Sequence, residues 1–225
     1  MMQKIEHPWN LLPKEAIDLQ KRLSRNVIRK STIKTNAVRK VAGIDTAYRK
    51  GVACAAAVVL QFEDMGTLEF KTAARPIGFP YVPGLLSFRE GPAILAALDK
   101  LKSTPDLLIF DGQGVAHPRR LGIASHIGLL VDIPSIGCAK SKLLGHYEEP
   151  GIKRGSFSYL TYQDETIGAV VRTRTQVKPL YISIGHRVNL RQSIKFVLHC
   201  CKGYRLPETT RQADKLSRIG LLQRF

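Results

Sequence analysis

Apolar positions recur along the chain with two different periods, and the switches between them outline its elements. Leu12, Ala16, Leu19, Leu23, Val27 and Ile28 return every three or four residues. That spacing predicts a helix from about Leu12 to Lys30, with Pro13 suited to its first turn. Val41 to Tyr48 reads as a strand carrying one carboxylate, Asp45, near its middle. Arg49-Lys50-Gly51 makes a tight turn. Val52 to Phe62 is small and apolar throughout, as a strand in the middle of a sheet is. Leu68 to Ala74 completes an antiparallel meander.

The pattern then breaks. Two prolines, Pro80 and Pro83, bracket Tyr81 and Val82, and Gly84 ends the stiff loop they make. Helical spacing resumes through Leu98 and Leu101, with Glu90 in the first turns. Leu107 to Phe110 is a short apolar run after Pro105, so it reads as a buried fourth strand that stops at Asp111-Gly112. Leu121 to Leu130 is an apolar helix, and Ile133 to Cys138 a fifth strand ending at Ala139-Lys140. Tyr147 to Gly155 is a polar loop. Ile167 to Arg172 and Leu180 to Ile184 form a further strand pair. Val188 to Cys201 is helical, and a last helix begins in Pro207 to Leu216. No repeat, low-complexity tract or long linker divides the chain. The expectation is a single domain over residues 1–225, α/β in class, with a central mixed sheet flanked by helices.

Charge changes this picture. Among 225 residues, Lys and Arg number 35 against 18 Asp and Glu, a formal net charge of +17. Such a balance points to a polyanion, nucleic acid before a membrane surface. From Thr166 to Pro207 there is no acidic residue, while Arg172, Arg174, Lys178, Arg187, Arg191, Lys195, Lys202 and Arg205 are interleaved with apolar positions. They are expected on a folded face rather than a loose arm. No apolar run approaches the roughly 20 residues of a membrane span, and the polar, basic N-terminus has no signal-peptide core. Cys54, Cys138, Cys200 and Cys201 form no C-x-x-C pair. They read as buried thiols in a reducing, cytoplasmic setting.

The acidic residues at strand ends stand out against so much positive charge. Asp111 lies at the carboxyl end of the fourth strand, where sites cluster in open α/β sheets. If the first and fourth strands are neighbours, Asp45 converges on it, and Glu90 and Asp214 can approach from helices. Carboxylates gathered beneath a basic face suit Mg²⁺-dependent phosphodiester cleavage, because Mg²⁺ takes oxygen ligands and shares phosphate oxygens. The alternative for Asp45 is a bond to a helix cap or an arginine. Gly112 and Gly114 allow close approach of a ligand. Lys140 can meet the scissile phosphate or stand in solvent; His117 and Arg119 can contact phosphate, though His117 can equally be structural. Tyr81 is either a wedge entering a base stack or a ring packed over the sheet edge. His186 receives no role. No Walker A or G-x-G-x-x-G pattern is present, which argues against nucleotide hydrolysis and dinucleotide redox chemistry.

Several stretches together resemble the endonuclease V family. Val41-Ala42-Gly43-Ile44-Asp45 resembles its first strand, and Pro80-Tyr81-Val82-Pro83-Gly84-Leu85-Leu86-Ser87-Phe88-Arg89-Glu90 its wedge running into an acidic position. Asp111-Gly112-Gln113-Gly114 with His117-Pro118-Arg119 and Gly122 resembles a further motif, and Pro134 to Lys140 the strand bearing its lysine. The family often has threonine in place of Ser135 and valine in place of Cys138. Gly185-His186-Arg187 and Tyr204 to Asp214 complete a likeness that runs from Val41 to Asp214. The resemblance implies an RNase H-like fold and a monomer. It also implies Mg²⁺- or Mn²⁺-dependent nicking of DNA at the second phosphodiester bond 3′ to deoxyinosine, with inosine in RNA preferred by some relatives. It implies catalytic roles for Asp45, Glu90, Asp111, Lys140 and Asp214, with Asp45 and Asp111 on the metal. Pro80, Tyr81, Val82 and Pro83 would form the wedge. Gly84, Leu85, Gly112, Gly122 and Ile123 would form a base pocket made mostly of backbone.

Overall fold

A two-residue turn sets the first half of the sheet. Lys50 and Gly51 both take positive φ, 46° and 74°, the geometry that matches the twist of a hairpin. It joins β1 (Lys40–Arg49) to β2 (Val52–Gln61), paired antiparallel from Arg49 opposite Val52 to Lys40 opposite Gln61. β3 (Thr67–Pro76) continues the meander. The structure, a computed structural model, describes residues 4–223. Beyond the meander the order is α2 (Leu86–Asp99), β4 (Leu107–Phe110), α3 (Ile123–Val131), β5 (Ser135–Ala139), β6 (Phe157–Tyr162), β7 (Glu165–Val171), β8 (Leu180–His186), α4 (Leu190–Cys200) and α5 (Glu208–Leu222), with α1 (Pro13–Ser24) preceding the sheet. The eight strands lie in the order β3-β2-β1-β4-β5-β8-β7-β6. β1, β4 and β5 run parallel, so Asp45 within β1, Asp111 just past β4 and Lys140 just past β5 come to the same side of the sheet.

Alternation along the strands separates two cores. Val41, Val58, Leu107, Ile109 and Ile136 face α4 and α5 and meet Phe196, Val197 and Ala213. Ala42, Ile44, Val59, Leu108 and Phe110 face the other way, onto Ile94 and Leu98 of α2 and Ile127 and Leu130 of α3. Each large side chain fully buried here is worth roughly 1.5–3 kcal/mol. A third cluster seats Ala16, Leu19 and Leu23 of α1 against Phe88, Leu121 and Leu129. All four cysteines are buried thiols outside any disulfide. No described helix is long and apolar enough to cross a membrane.

Two elements differ from the expectation. α1 stops at Ser24 rather than Lys30, because Val27 and Ile28 leave the helix to meet the end of β8. There Ile28 accepts from the Arg187 amide at 2.7 Å and donates to His186 Nδ1 at 3.2 Å. β6 was not anticipated. It is an edge strand whose hairpin turn uses Gln163 and Asp164, both at positive φ (51° and 60°). That pair lacks the glycine that usually announces such a turn.

Candidate active site

Asp45 and Asp111 stand on adjacent strands. β1 and β4 pair in register as far as Ile44 opposite Phe110, and the Asp111 amide donates to the Ile44 carbonyl at 3.1 Å. The two carboxylates therefore follow side by side. Lys140, one residue beyond β5, pairs with Asp111 Oδ2. Asp214 faces Asp45 from α5, close enough for the two carboxyls to affect each other's proton affinity, and is itself held by Arg218 at 2.9 Å. Glu90 comes from α2, 8% exposed, and accepts the Tyr48 hydroxyl on Oε1.

Their mutual charge is legible in the proton affinities. Burial first, then the Asp111 charge, pushes Asp45 up to about 7. Burial pushes Glu90 up to about 8; the Tyr48 hydrogen bond opposes this, and the charges of Asp45 and Asp111 add to it. Burial works against the Lys140 ammonium, but its bond to Asp111 outweighs it and raises the pKa. Shifts of this kind mark functional sites more often than ordinary surface pairs. Among the described residues, no three His, Cys, Asp or Glu side chains are already arranged to hold a metal ion. The oxygen-only donor pair of Asp45 and Asp111 nevertheless suits Mg²⁺, which is often held by one or two carboxylates with water and phosphate.

A cavity of about 400 Å³ opens beside this edge. Tyr81, Val82, Pro83, Gly84, Gly112, Gly122, Ile123, Asp111 and Lys140 all line it, so the structure brings most of the expected pocket and wedge next to the carboxylates. Pro80 and Leu85 are the exceptions: neither lines the cavity, and Leu85 is fully buried in the α1 cluster. Tyr81 is 74% exposed, with the Arg89 guanidinium 5.9 Å from its ring centroid, so it does not pack over the sheet. Both ends of its loop are pinned: Phe79 stacks on Phe88 at 5.3 Å, and the Gly84 carbonyl accepts three hydrogen bonds. Their donors are Gln20 Nε2 at 3.1 Å, His117 Nε2 at 2.9 Å and Arg119 Nη2 at 2.8 Å. Gly84 has φ +78°, and a Cβ there would meet Arg119 Nη2 at 2.6 Å.

That clamp corrects the expectation for His117. With Nε2 on Gly84 and Nδ1 accepting the Arg119 amide at 3.2 Å, no ring nitrogen is left for phosphate. Burial, then the Arg119 charge, lowers its pKa to about 4, so it is neutral. Arg119 also donates from Nε to Gln20 and so spends two groups on the loop. Gly114 packs against β8: a Cβ there would lie 2.0 Å from the Ile184 carbonyl. His186 is buried against Asp132 at 3.2 Å and has a structural place. Gln20 and Tyr48 make contacts at the site that no sequence signal marks, and Arg205, expected on the basic face, is spent on carbonyls instead. Arg205 caps the carbonyl of Lys140 at 2.9 Å and that of Pro179 at 2.9 Å.

Similarity to known proteins agrees with this geometry. The sequence profile of the endonuclease V family matches residues 21–215. The endonuclease V of Nostoc punctiforme is 51% identical over 214 residues, 94% of this chain and 96% of its own. The crystal structure of endonuclease V from Streptomyces avermitilis superposes with a TM-score of 0.91 at 43% identity, covering 97% of each chain. Endonuclease V of Ciona intestinalis, solved with a 24mer DNA containing an inosine followed by a ribo-adenosine, superposes at 0.83 with 29% identity, over 94% of this chain and 98% of that one. The fold of these structures is RNase H-like, as the mixed sheet flanked by helices is here. With a family profile spanning most of its length and a close relative matching nearly end to end, this chain belongs to the endonuclease V family of nucleases.

Proposed function

We propose that the protein is a divalent-metal-dependent endonuclease that nicks DNA at the second phosphodiester bond 3′ to deoxyinosine, leaving 3′-hydroxyl and 5′-phosphate ends. The observation that carries this reading is the juxtaposition of the paired Asp45 and Asp111 with a base-sized cavity rimmed by an exposed, clamped tyrosine. Asp45 and Asp111 would hold the ion, Mg²⁺ or Mn²⁺. Bound there, it supplies Lewis acidity to the phosphate and lowers the pKa of water. Lys140 neutralises Asp111 and offers its ammonium to the scissile phosphate. Glu90, with its raised pKa, can hold or release a proton at a carboxyl oxygen beside that phosphate near neutral pH. Asp214 orients Asp45 from α5. Tyr81 fills the gap left by the flipped base, and Gly84, Gly112, Gly122 and Ile123 surround that base.

The test is cleavage of matched DNA and RNA oligonucleotides, each with one inosine, with and without Mg²⁺. A nick one nucleotide beyond inosine in DNA is expected, absent in Asp111→Asn. That variant should still bind inosine DNA within about tenfold, roughly 1.4 kcal/mol. Cleavage confined to the RNA would make inosine RNA the substrate. Full activity of Asp111→Asn would remove the metal assignment.

A further inference from the structure

A second cavity, of about 470 Å³, opens between the β1–β2 hairpin and the end of α5. Tyr48, Arg49, Asp214, Arg218, Leu221 and Leu222 line it. The first cavity draws on the segments that follow β4 and β5, and this one on the end of β1 and on α5. In the strand order β2-β1-β4-β5 the two therefore flank the paired Asp45 and Asp111.

Tyr48 is held here as a platform. Its hydroxyl bonds Glu90 Oε1, and the Arg89 guanidinium lies 5.7 Å from its ring centroid. Arg89 is itself fixed on the Phe79 carbonyl at 2.9 Å. The ring is thus secured at its tip and over one face, yet the residue stays 42% exposed. Leu221, buried, and Leu222, exposed, make the neighbouring wall apolar. Arg49 is exposed beside the hairpin turn. Arg218 is exposed and oriented by its bonds to Asp214 at 2.9 and 3.1 Å. Two guanidiniums against one carboxylate leave the lining a single net positive charge, which matches one phosphodiester.

An aromatic face, an apolar wall and a guanidinium are together what a nucleotide needs: the base stacks and the phosphate pairs. We infer that this cavity seats the nucleotide immediately 3′ of the scissile bond, its base on the Tyr48 ring and its own 3′ phosphate toward Arg49 and Arg218. The inference rests on the inosine-nuclease reading above. A strand that buries its lesion in the first cavity and offers its second phosphodiester bond to the carboxylates runs on toward the second cavity. Every base has a π-face, so this subsite takes any base. That is what a cut placed by the lesion, and not by the sequence beyond it, requires.

The experiment measures dissociation constants, in EDTA so that no strand is cut, for two inosine strands annealed to the same complement. One ends in the phosphate of the scissile bond. The other carries one further nucleotide and also ends in phosphate. The added nucleotide should tighten wild-type binding roughly ten- to hundredfold, the worth of one stacked base. Tyr48→Leu should cut that gain to below about threefold, with melting temperature confirming the fold, whereas Tyr48→Phe keeps the ring and should keep the gain. A wild-type protein that gains nothing from the added nucleotide overturns the inference. So does a folded Tyr48→Leu that keeps the gain, or a Tyr48→Phe that loses it. If Tyr48→Leu does not fold, Leu222→Glu decides, at a residue 63% exposed. A carboxylate on the cavity rim should reduce the gain about fivefold by repelling the added phosphate, and an unchanged gain overturns the inference. A wild-type protein that binds inosine strands no tighter than adenine strands overturns the underlying function instead.

Discussion

Tyr81 offers the sharpest residue-scale test. A ring packed over the sheet would be buried, and removing it would cost stability; this ring is 74% exposed. Tyr81→Ala should therefore fold normally, yet lose roughly ten- to hundredfold in affinity or cleavage for inosine DNA, since base stacking is worth about 1–3 kcal/mol. Tyr81→Phe should be mild, because the ring does the stacking. Full inosine selectivity in a folded Tyr81→Ala would leave recognition to the pocket alone. Residues like this one were legible in the sequence because each breaks a local rule. Asp45 and Asp111 interrupt or end apolar runs, and Tyr81 is locked between prolines. Gln20 and Tyr48 break none. A glutamine in an amphipathic helix or a tyrosine near the end of a strand is ordinary, and its role exists only after α1, α2 and β1 have packed. For His117 the sequence left a phosphate contact and a structural place both open, because its partner Gly84 lies elsewhere in the chain.

At the scale of elements, α1 is a strut for the wedge loop. Gln20 is 1% exposed and donates to two carbonyls, Gly84 at 3.1 Å and Leu121 at 3.2 Å. In Gln20→Ala, Gly84 keeps His117 and Arg119, but the Leu121 carbonyl loses this donor in a buried place, a cost of about 1–3 kcal/mol. For a chain of this size that is a fall in melting temperature of roughly 2–12 °C. Inosine affinity should drop with it, while Mg²⁺ affinity stays unchanged because no carboxylate moves. Unaltered inosine affinity would show that the loop is held without α1. Most elements were readable from periodicity, β2, β4 and β5 above all, since a run buried on both faces is unbroken in the sequence. α1 was over-extended because Val27 and Ile28 keep the helical spacing while serving β8. β6 was missed because an edge strand alternates weakly: Phe157 and Tyr159 face solvent and Leu160 alone is fully buried.

For the whole molecule, net charge was read correctly as a quantity and only partly as a surface. Arg172 is 7% exposed and spends its guanidinium on Glu149 and the carbonyls of Pro150, Gly151 and Val177. Arg187 pairs with Asp132 and Arg205 holds carbonyls. The exposed remainder of that set, Arg174, Lys178, Arg191, Lys195 and Lys202, is left to meet phosphate. Binding of DNA should weaken with salt at a log–log slope of about −0.9 per phosphate contacted. Arg172→Ala should lower stability and leave the slope alone; a salt-independent dissociation constant would exclude counterion release. Stability itself should depend on pH in a window set by the site. Asp45 near 7 and Glu90 near 8 bind protons in the folded protein that an unfolded chain has released near pH 4. Stability therefore falls as pH rises through those values. His117 near 4 and His126 near 3, with His7 and His186 also lowered by burial, act oppositely: the unfolded histidines are half protonated at about pH 6.5, so this contribution grows with pH and is complete only near about pH 7.5. The thiols of Cys138, Cys200 and Cys201, raised by burial, add their own loss only above about pH 8. Between about pH 7.5 and 8 the carboxylates act alone. In EDTA the melting temperature should fall across this interval, and Glu90→Gln should flatten the fall. Saturating Mg²⁺ should abolish it, because a bound cation favours the ionised carboxylates and displaces their protons. A melting temperature that is level in EDTA from about pH 7.5 to 8, or that falls equally with Mg²⁺ present, would mean that these carboxylates are not the shared, proton-holding cluster described here.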